Sequence, residues 1–216
     1  MKSSYFNSCV CVCVQLESLR FTGRLVNTQI EMCNLMHLHT LRFHYACSHL
    51  DDIELSRFPA TLTDLMIGYF VETMIPLVRD LSGLRQFALC RTIISKDGFN
   101  ALFAAGQLAN SLKTVKLDIT WKPINIINVP DEIDTTKLDV SHLHNVEFLS
   151  STLSRNSQSV LDLVPLLHTM QKLNRVAFHI TDTFDMTADL PTSTIESLQY
   201  LTETKKELRV ECFVEA

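Results

Sequence analysis

One short apolar pattern recurs along most of the chain, and its spacing limits the folds that the sequence can adopt. The pattern is an apolar residue, two variable residues, a second apolar residue, one variable residue and a third apolar residue. Complete copies begin at Leu16, Leu38, Leu62, Leu84, Leu112, Leu143 and Leu173, and a decayed copy, Leu208-Val210, follows them. Successive complete copies start 22 to 31 residues apart.

This spacing predicts an α/β array of parallel strands. In each copy the last two apolar side chains leave a short strand on one face, and the residue between them leaves on the other. The remaining residues must carry the chain back to start a neighbouring parallel strand, usually through a helix. Stacked copies then bury one continuous apolar column. We expect helices on one side of a parallel sheet whose strands centre on residues 19–21, 41–43, 65–67, 87–89, 115–117, 146–148 and 176–178.

The segments between copies support helical returns. Residues 75–78 (Ile-Pro-Leu-Val) and 164–167 (Val-Pro-Leu-Leu) each place a proline eight residues before the next copy. Ser95 precedes apolar residues at helical spacing, which is typical of a helix start. Residues 118–142 are different, because two prolines and the acidic run 131–134 favour an inserted loop. Residues 182–192 predict a second loop.

These units resemble leucine-rich repeats, and the longer ones resemble the repeat regions of F-box-type ubiquitin-ligase substrate receptors. The resemblance covers the chain from Leu16 onward, although the sequence shows no convincing F-box. It implies a solenoid with a curved parallel sheet and helices on its convex side. The family usually has Asn or Cys three residues after the last strand apolar residue. Here those positions hold Arg24, Ala46, Phe70, Thr92, Thr120, Ser151 and Thr181. The hydroxyl groups among them can replace part of that hydrogen bonding.

We therefore expect residues 1–216 to form a single leucine-rich-repeat domain of about eight irregular repeats, with 118–142 as an inserted loop. The opening Cys9–Val14 segment alternates like a strand but is too apolar for a polar end cap. The sequence thus leaves open that the chain is the C-terminal part of a longer array.

Charge and cysteine content bear on partners and compartment. The formal net charge of −5 predicts no nucleic-acid partner, and no stretch approaches the length of a membrane span. Seven cysteines without a CxxC pair, and no Asn-x-Ser/Thr sequon, predict a reduced protein of the cytoplasm or nucleus.

Two clusters of histidine and cysteine are candidate chemical sites. One is His37, His39, His44, Cys47 and His49, and the other is Cys9, Cys11 and Cys13. Histidines alternating around a strand are spread along its length, and thiols among valines behave as small hydrophobes. Hydrolase and phosphate-loop motifs are absent from the sequence. We predict no enzyme activity, no metal, no cofactor and no small-molecule substrate.

The variable strand positions predict a binding face instead. The central residue of each copy points away from the core, which gives the column Arg20, Arg42, Met66, Ala88, Lys116, Glu147, Ala177 and Arg209. Its mixed character suits a protein partner, and the candidate binding residues are Arg20, Arg42, Met66, Lys116 and Glu147. Two alternatives stay open: a structural or incomplete array without independent function, and a metal-dependent enzyme using the His44–His49 cluster.

Overall fold

A computed structural model describes residues 15–22, 35–44, 58–121, 137–153, 158–181 and 190–214. Eight short strands run through these segments. They are β1 (Ser18–Phe21), β2 (Thr40–Phe43), β3 (Asp64–Gly68), β4 (Gln86–Ile94), β5 (Thr114–Trp121), β6 (Phe148–Leu153), β7 (Arg175–Ile180) and β8 (Arg209–Val214). The predicted opening strand around Cys9–Val14 lies outside the described residues.

All eight strands form one open parallel sheet in the order in which they occur along the chain. Each strand from β2 to β7 therefore pairs with the strand of the preceding copy and the strand of the following one. The prediction of an α/β fold with consecutive parallel strands is confirmed. An antiparallel pairing at any step would have contradicted it.

A repeated backbone contact sets the register at the start of the strands. The carbonyl of the residue just ahead of one strand accepts two successive N–H groups from the next copy. Six carbonyls do so at 2.8–3.2 Å: those of Glu17, His39, Thr63, Arg85, Lys113 and Glu147. Because each accepting residue occupies the same position in its copy, this contact fixes how neighbouring strands align.

Helical segments return the chain between strands. A 3-10 turn (Glu72–Met74) leads into α1 (Ile75–Arg79), and α2 (Lys96–Phe103) and α3 (Gln107–Ser111) lie between β4 and β5. A 3-10 segment (Gln158–Thr169) precedes β7, and α4 (Thr192–Thr204) precedes β8. Ser95 caps α2, since its side-chain oxygen accepts the Gly98 N–H at 2.9 Å. Helical returns were therefore predicted correctly at residues 75–78, 95–103 and 164–167.

The core lies between the sheet and these returns. The inward strand residues are fully or nearly fully buried, and they align from strand to strand as Leu41, Leu65, Phe87, Val115, Leu149 and Val176. On the helical side, Phe103 of α2 packs against Phe87 with ring centroids 6.3 Å apart. The continuous apolar column expected from the repeats is present from β2 to β7, whereas the aligned residues of the end strands are half-buried (Leu19) and 36% exposed (Val210).

Three of the predicted hydroxyl positions hydrogen-bond the backbone, and one of them is Ser151, whose hydroxyl donates to the Thr152 carbonyl at 3.5 Å. Thr92 is buried, and its side-chain oxygen accepts the Phe70 N–H at 3.3 Å and donates to the Cys90 carbonyl at 3.4 Å. The Thr181 hydroxyl donates to the Leu153 carbonyl at 3.4 Å. Thr92 thus provides an acceptor for the Phe70 N–H just after β3, whereas the Cys90 and Leu153 carbonyls also accept the backbone N–H groups of Tyr69 and Thr181.

The sixth strand was placed three residues too early. The sequence contains two overlapping frames, Leu143-Val146-Phe148 and Val146-Leu149-Ser151, and the structure uses the second. Leu143 forms the turn before the strand, because its carbonyl accepts the Val146 N–H at 3.1 Å. The first frame was more persuasive because it ends on an apolar residue, whereas the true frame ends on Ser151, which is buried beside Leu117 and Phe178.

The boundaries of the inserted loop also need correction. The strand β5 extends to Trp121, so residues 118–121 belong to the sheet rather than to a loop over 118–142. The neighbouring strand β4 is also longer than the first strands, and it continues to pair with β5 as far as Ile94 and Trp121. Residues 122–136 lie outside the described residues, as do residues 182–189 of the second predicted loop, and α4 begins at Thr192.

Candidate functional site

One row of side chains crosses the sheet on the face opposite the core. The strand register aligns Arg20, Arg42, Met66, Ala88, Lys116, Ser150, Ala177 and Glu211. We call these residues the central row. Four of the five candidate binding residues, Arg20, Arg42, Met66 and Lys116, therefore share one line across five adjacent strands, as the sequence predicted.

Glu147 and Arg209 do not belong to the central row. Glu147 precedes β6, and its carboxylate binds the ammonium of Lys113 at 2.6 Å, which lowers the pKa of Glu147. Ser150 takes the predicted place of Glu147, because the sixth strand starts later than expected. Arg209 pairs with Arg175, and Glu211 pairs with Ala177 of the central row. Glu211 therefore takes the place that the Leu208-Val210 motif predicted for Arg209.

The strand-start positions form a second row beside the central one, and all of its residues except Phe148 are polar. It contains Ser18, Thr40, Asp64, Gln86, Thr114, Phe148, Arg175 and Arg209. The two rows contact each other through charge. Arg42 pairs with Asp64 at 3.0 Å, and Arg175 pairs with Glu211 at 2.6 Å while its guanidinium lies 4.8 Å from the centre of the Phe148 ring. The sequence pattern gave no signal for these pairs, because they join residues 22 and 36 positions apart.

A shallow groove of about 140 Å³ lies over strands β2 to β5. Its lining comes from both rows and includes Arg42, Asp64, Met66, Gln86, Ala88 and Lys116. The floor is apolar at Met66 and Ala88, whereas cationic groups lie on two sides. This combination of an apolar floor and charged margins is typical of a surface that binds another molecule.

A bulge in β4 forms one end of the groove. The register shifts between Leu89 and Thr92, and Arg91 adopts the left-handed backbone conformation with φ 50°. The Asp118 carboxylate accepts the Arg91 N–H at 3.1 Å, which satisfies the group that the bulge takes out of the ladder. Cys90 lines the groove at this point, and burial raises the pKa of its thiol to about 11, with a further contribution from Asp118. The Cys90 thiol is therefore protonated near neutral pH and packs as a weakly polar group.

Part of the histidine and cysteine clusters can be located. His37 and His39 are exposed, and His44 is half-buried at the end of β2, whereas Cys47, His49 and the cysteines at 9, 11 and 13 lie outside the described residues. Within the described ranges, no three His, Cys, Asp or Glu side chains lie close enough together to hold a metal ion. Gly68 stands beside His44, where a Cβ atom would lie 2.8 Å from the His44 carbonyl oxygen. The close approach of β2 and β3 at this point requires glycine.

Protonation of His44 should make the stability of the protein depend on pH. Its Nε2 atom is inaccessible to solvent and makes no hydrogen bond in the described structure. Burial lowers the pKa of His44 from 6.5, and the positive charges of Arg20 and Arg42 lower it further. The unfolded chain therefore takes up this proton more readily than the folded protein. The free energy of unfolding should fall as the pH drops below about 6.5 toward the folded pKa.

This contribution can be isolated with His44→Gln, which cannot titrate. We expect the parent protein to lose more stability than His44→Gln between about pH 7.5 and about pH 5.5, measured by urea unfolding at each pH. Equal losses in the two proteins would show that the imidazole is as readily protonated when folded as when unfolded.

The described fold is an open, all-parallel, eight-stranded α/β sheet with helical returns. The chain matches no protein-family model and no curated protein sequence at a significant level. Among the helices that the described residues form, none has the length and apolar character needed to cross a membrane.

Proposed function

We propose that the chain is a leucine-rich-repeat protein, a non-catalytic module that binds a protein partner on the open face of its sheet. The repeat assignment is supported by two regularities that agree with each other. The apolar motif recurs at each strand, and the paired N–H contacts to one carbonyl recur ahead of the strands at the same motif position. Repeat arrays of this kind offer extended surfaces rather than enclosed sites.

One observation carries the binding proposal. Arg20, Arg42, Met66 and Lys116 come from four different copies of the repeat, yet the register places them in one row beside a groove. Arginine and methionine are enriched at protein interfaces, because each combines reach with apolar contact area. Parallel strands stack about 4.8 Å apart, so the row presents a spaced series of contacts to one elongated ligand.

The resemblance to F-box receptors extends the proposal to a biological role. We propose that the array serves as a substrate-recognition region of a ubiquitin ligase in the cytoplasm or nucleus. Cys90 and Cys212 are free thiols, which agrees with a reducing compartment. Affinity capture of the full chain tests this part. Recovery of a ligase adaptor would favour the ligase role, although the sequence shows no convincing F-box, and its absence from captured complexes would count against that role.

Charge reversal on the open face should separate binding from folding. We expect the double variant Arg42→Glu/Met66→Glu to weaken capture of a partner by at least about 10-fold, because both side chains border the groove. Its folding should be affected less than its binding, because Arg42 is 44% exposed and a partly exposed pair contributes about 1 kcal/mol, although Asp64 is 19% exposed and would gain a second carboxylate beside it. Binding is measured by quantitative pull-down and folding by thermal unfolding.

A matched control is available on the helical side. Ile195 in α4 is 40% exposed, and Lys206 lies in the exposed turn before β8. The variant Ile195→Glu/Lys206→Glu makes the same change in net charge and should bind the partner as the parent does. If the control weakens capture while Arg42→Glu/Met66→Glu does not, the binding surface is on the helical side and the proposal is wrong.

A further inference from the structure

Building on the proposed function, we propose that the open face between β1 and β5 binds an extended acidic segment of the partner. In this arrangement, carboxylates near the two ends of the segment contact Arg20 and Lys116. An apolar side chain between them occupies the groove over Met66 and Ala88. The inference thus names the chemistry of the partner that the proposed function leaves open.

The charges on this part of the face are unbalanced. Arg20 and Lys116 are exposed, and neither has an ion-pair partner within the described part of the chain. Arg42, between them, is already held by Asp64 at 3.0 Å, and the Asp118 carboxylate accepts the Arg91 N–H. The face therefore has two cationic groups available to a ligand, although the whole chain has a net charge of −5.

The electrostatic potential is positive at the end of the face formed by β1 and β2. Arg20 and Arg42 both disfavour a proton on nearby His44. A carboxylate bound at Arg20 would contact that guanidinium, whereas the Arg42 guanidinium remains paired with Asp64. Charge-assisted hydrogen bonds of this kind orient a ligand as well as attract it.

The spacing of the row fits an extended peptide. Four strand steps separate Arg20 on β1 from Lys116 on β5, which is about 19 Å at about 4.8 Å per step. An extended chain advances about 3.3 Å per residue, so about six residues cover this distance. The long arginine and lysine side chains allow one residue of variation. We therefore expect the two carboxylates about five to seven positions apart.

The middle of this span is apolar and concave. Met66 and Ala88 lie on the two strands between Arg42 and Lys116, and the groove there has a volume of about 140 Å³. That volume is close to the roughly 150 Å³ that accommodates one benzene-sized apolar group. A phosphate backbone would gain little from such a floor and would favour a longer run of cations. A peptide with one apolar residue between two acidic ones uses all three features.

Selection from a phage-displayed library of random dodecapeptides tests this inference on the full chain. We expect the parent protein to enrich peptides with two acidic residues about five to seven positions apart and an apolar residue between them. The variant Arg20→Glu/Lys116→Glu should instead enrich basic peptides, and its fold should be unchanged because neither side chain has an ion-pair partner in the described structure. In a selected peptide, each Glu→Gln change should weaken binding by about 2- to 5-fold, the range of exposed ion pairs.

Three outcomes overturn the inference, and they differ from failure of the proposed function. Enriched peptides without an acidic preference that still require Arg42 and Met66 would leave the open face as the binding surface but remove its acid specificity. No enrichment over a column without protein would exclude a linear acidic ligand, while partner capture would still decide the proposed function. Displacement of the selected peptides by a single-stranded RNA decamer at equal concentration would indicate a polyanion site instead.

Discussion

Replacing Phe103 by alanine is expected to lower the free energy of unfolding by about 3–5 kcal/mol, the range for a large buried aromatic side chain. Phe103 is fully buried and connects α2 to the sheet. Its ring lies 4.8 Å from that of Phe99 in the same helix and 6.3 Å from that of Phe87 in β4. The change would leave a cavity between the two layers of the fold, and urea unfolding measures its cost.

Ile93 provides the comparison for this experiment. It lies in β4 but is 60% exposed, so Ile93→Ala should change the free energy of unfolding by about 0.5 kcal/mol or less. If Phe103→Ala were as mild as Ile93→Ala, α2 would not pack on the sheet as the structure has it.

Two neighbouring residues in β6 test the register that the repeat motif alone placed wrongly. Leu149 is 3% exposed and aligns with Val115 and Val176 in the core, so Leu149→Ala should cost about 2–5 kcal/mol. Phe148 lies on the open face beneath the Arg175 guanidinium, where a cation–π contact contributes about 0.5–1 kcal/mol at an exposed site. Phe148→Ala should therefore cost about 1 kcal/mol.

The reverse order of these two effects would contradict the structure. The two frames differ by three residues, and a change of register by an odd number of residues moves every side chain of a strand to the other face, so the pair of substitutions distinguishes the frames directly. Leu117→Ala serves as a positive control, because Leu117 is buried in β5 in both frames and should cost about 2–5 kcal/mol.

The parallel order of the strands could be predicted because it depends on a pattern repeated many times. Seven copies with 22- to 31-residue spacing leave few folds other than a stacked array. The outward position of Arg20, Arg42, Met66 and Lys116 followed from the alternation of side chains within each copy, which the register confirms. A single irregular copy could not disturb these positions.

The errors occurred where the local pattern was ambiguous. Around residues 143–151 two frames fit, and the buried serine at the end of the true frame concealed it. The same ambiguity moved Glu147 into the predicted row. Near Trp121, prolines that follow the strand made its last residues resemble a loop, whereas pairing with the equally long β4 keeps them in the sheet.

The groove itself could not be predicted from the sequence. It depends on the Arg42–Asp64 pair, which joins residues from different copies of the repeat. It also depends on the bulge at Arg91, where the backbone conformation changes locally. Alternation determines which side chains face outward, but it contains no information about which of them pair with each other. The pairing of outward side chains determines which charges remain available to a partner.

Site-specific photo-cross-linking tests the central claim, partner binding on the open face, most directly. A benzophenone amino acid is placed at Met66 in one protein and at Ile195 on the helical side in another, and both are irradiated in cells. We predict that the Met66 protein forms covalent adducts with a partner and that the Ile195 protein forms none. The Met66 adducts should disappear when Arg20 and Lys116 are also changed to Glu. Adducts from Ile195 but not from Met66 would contradict the claim.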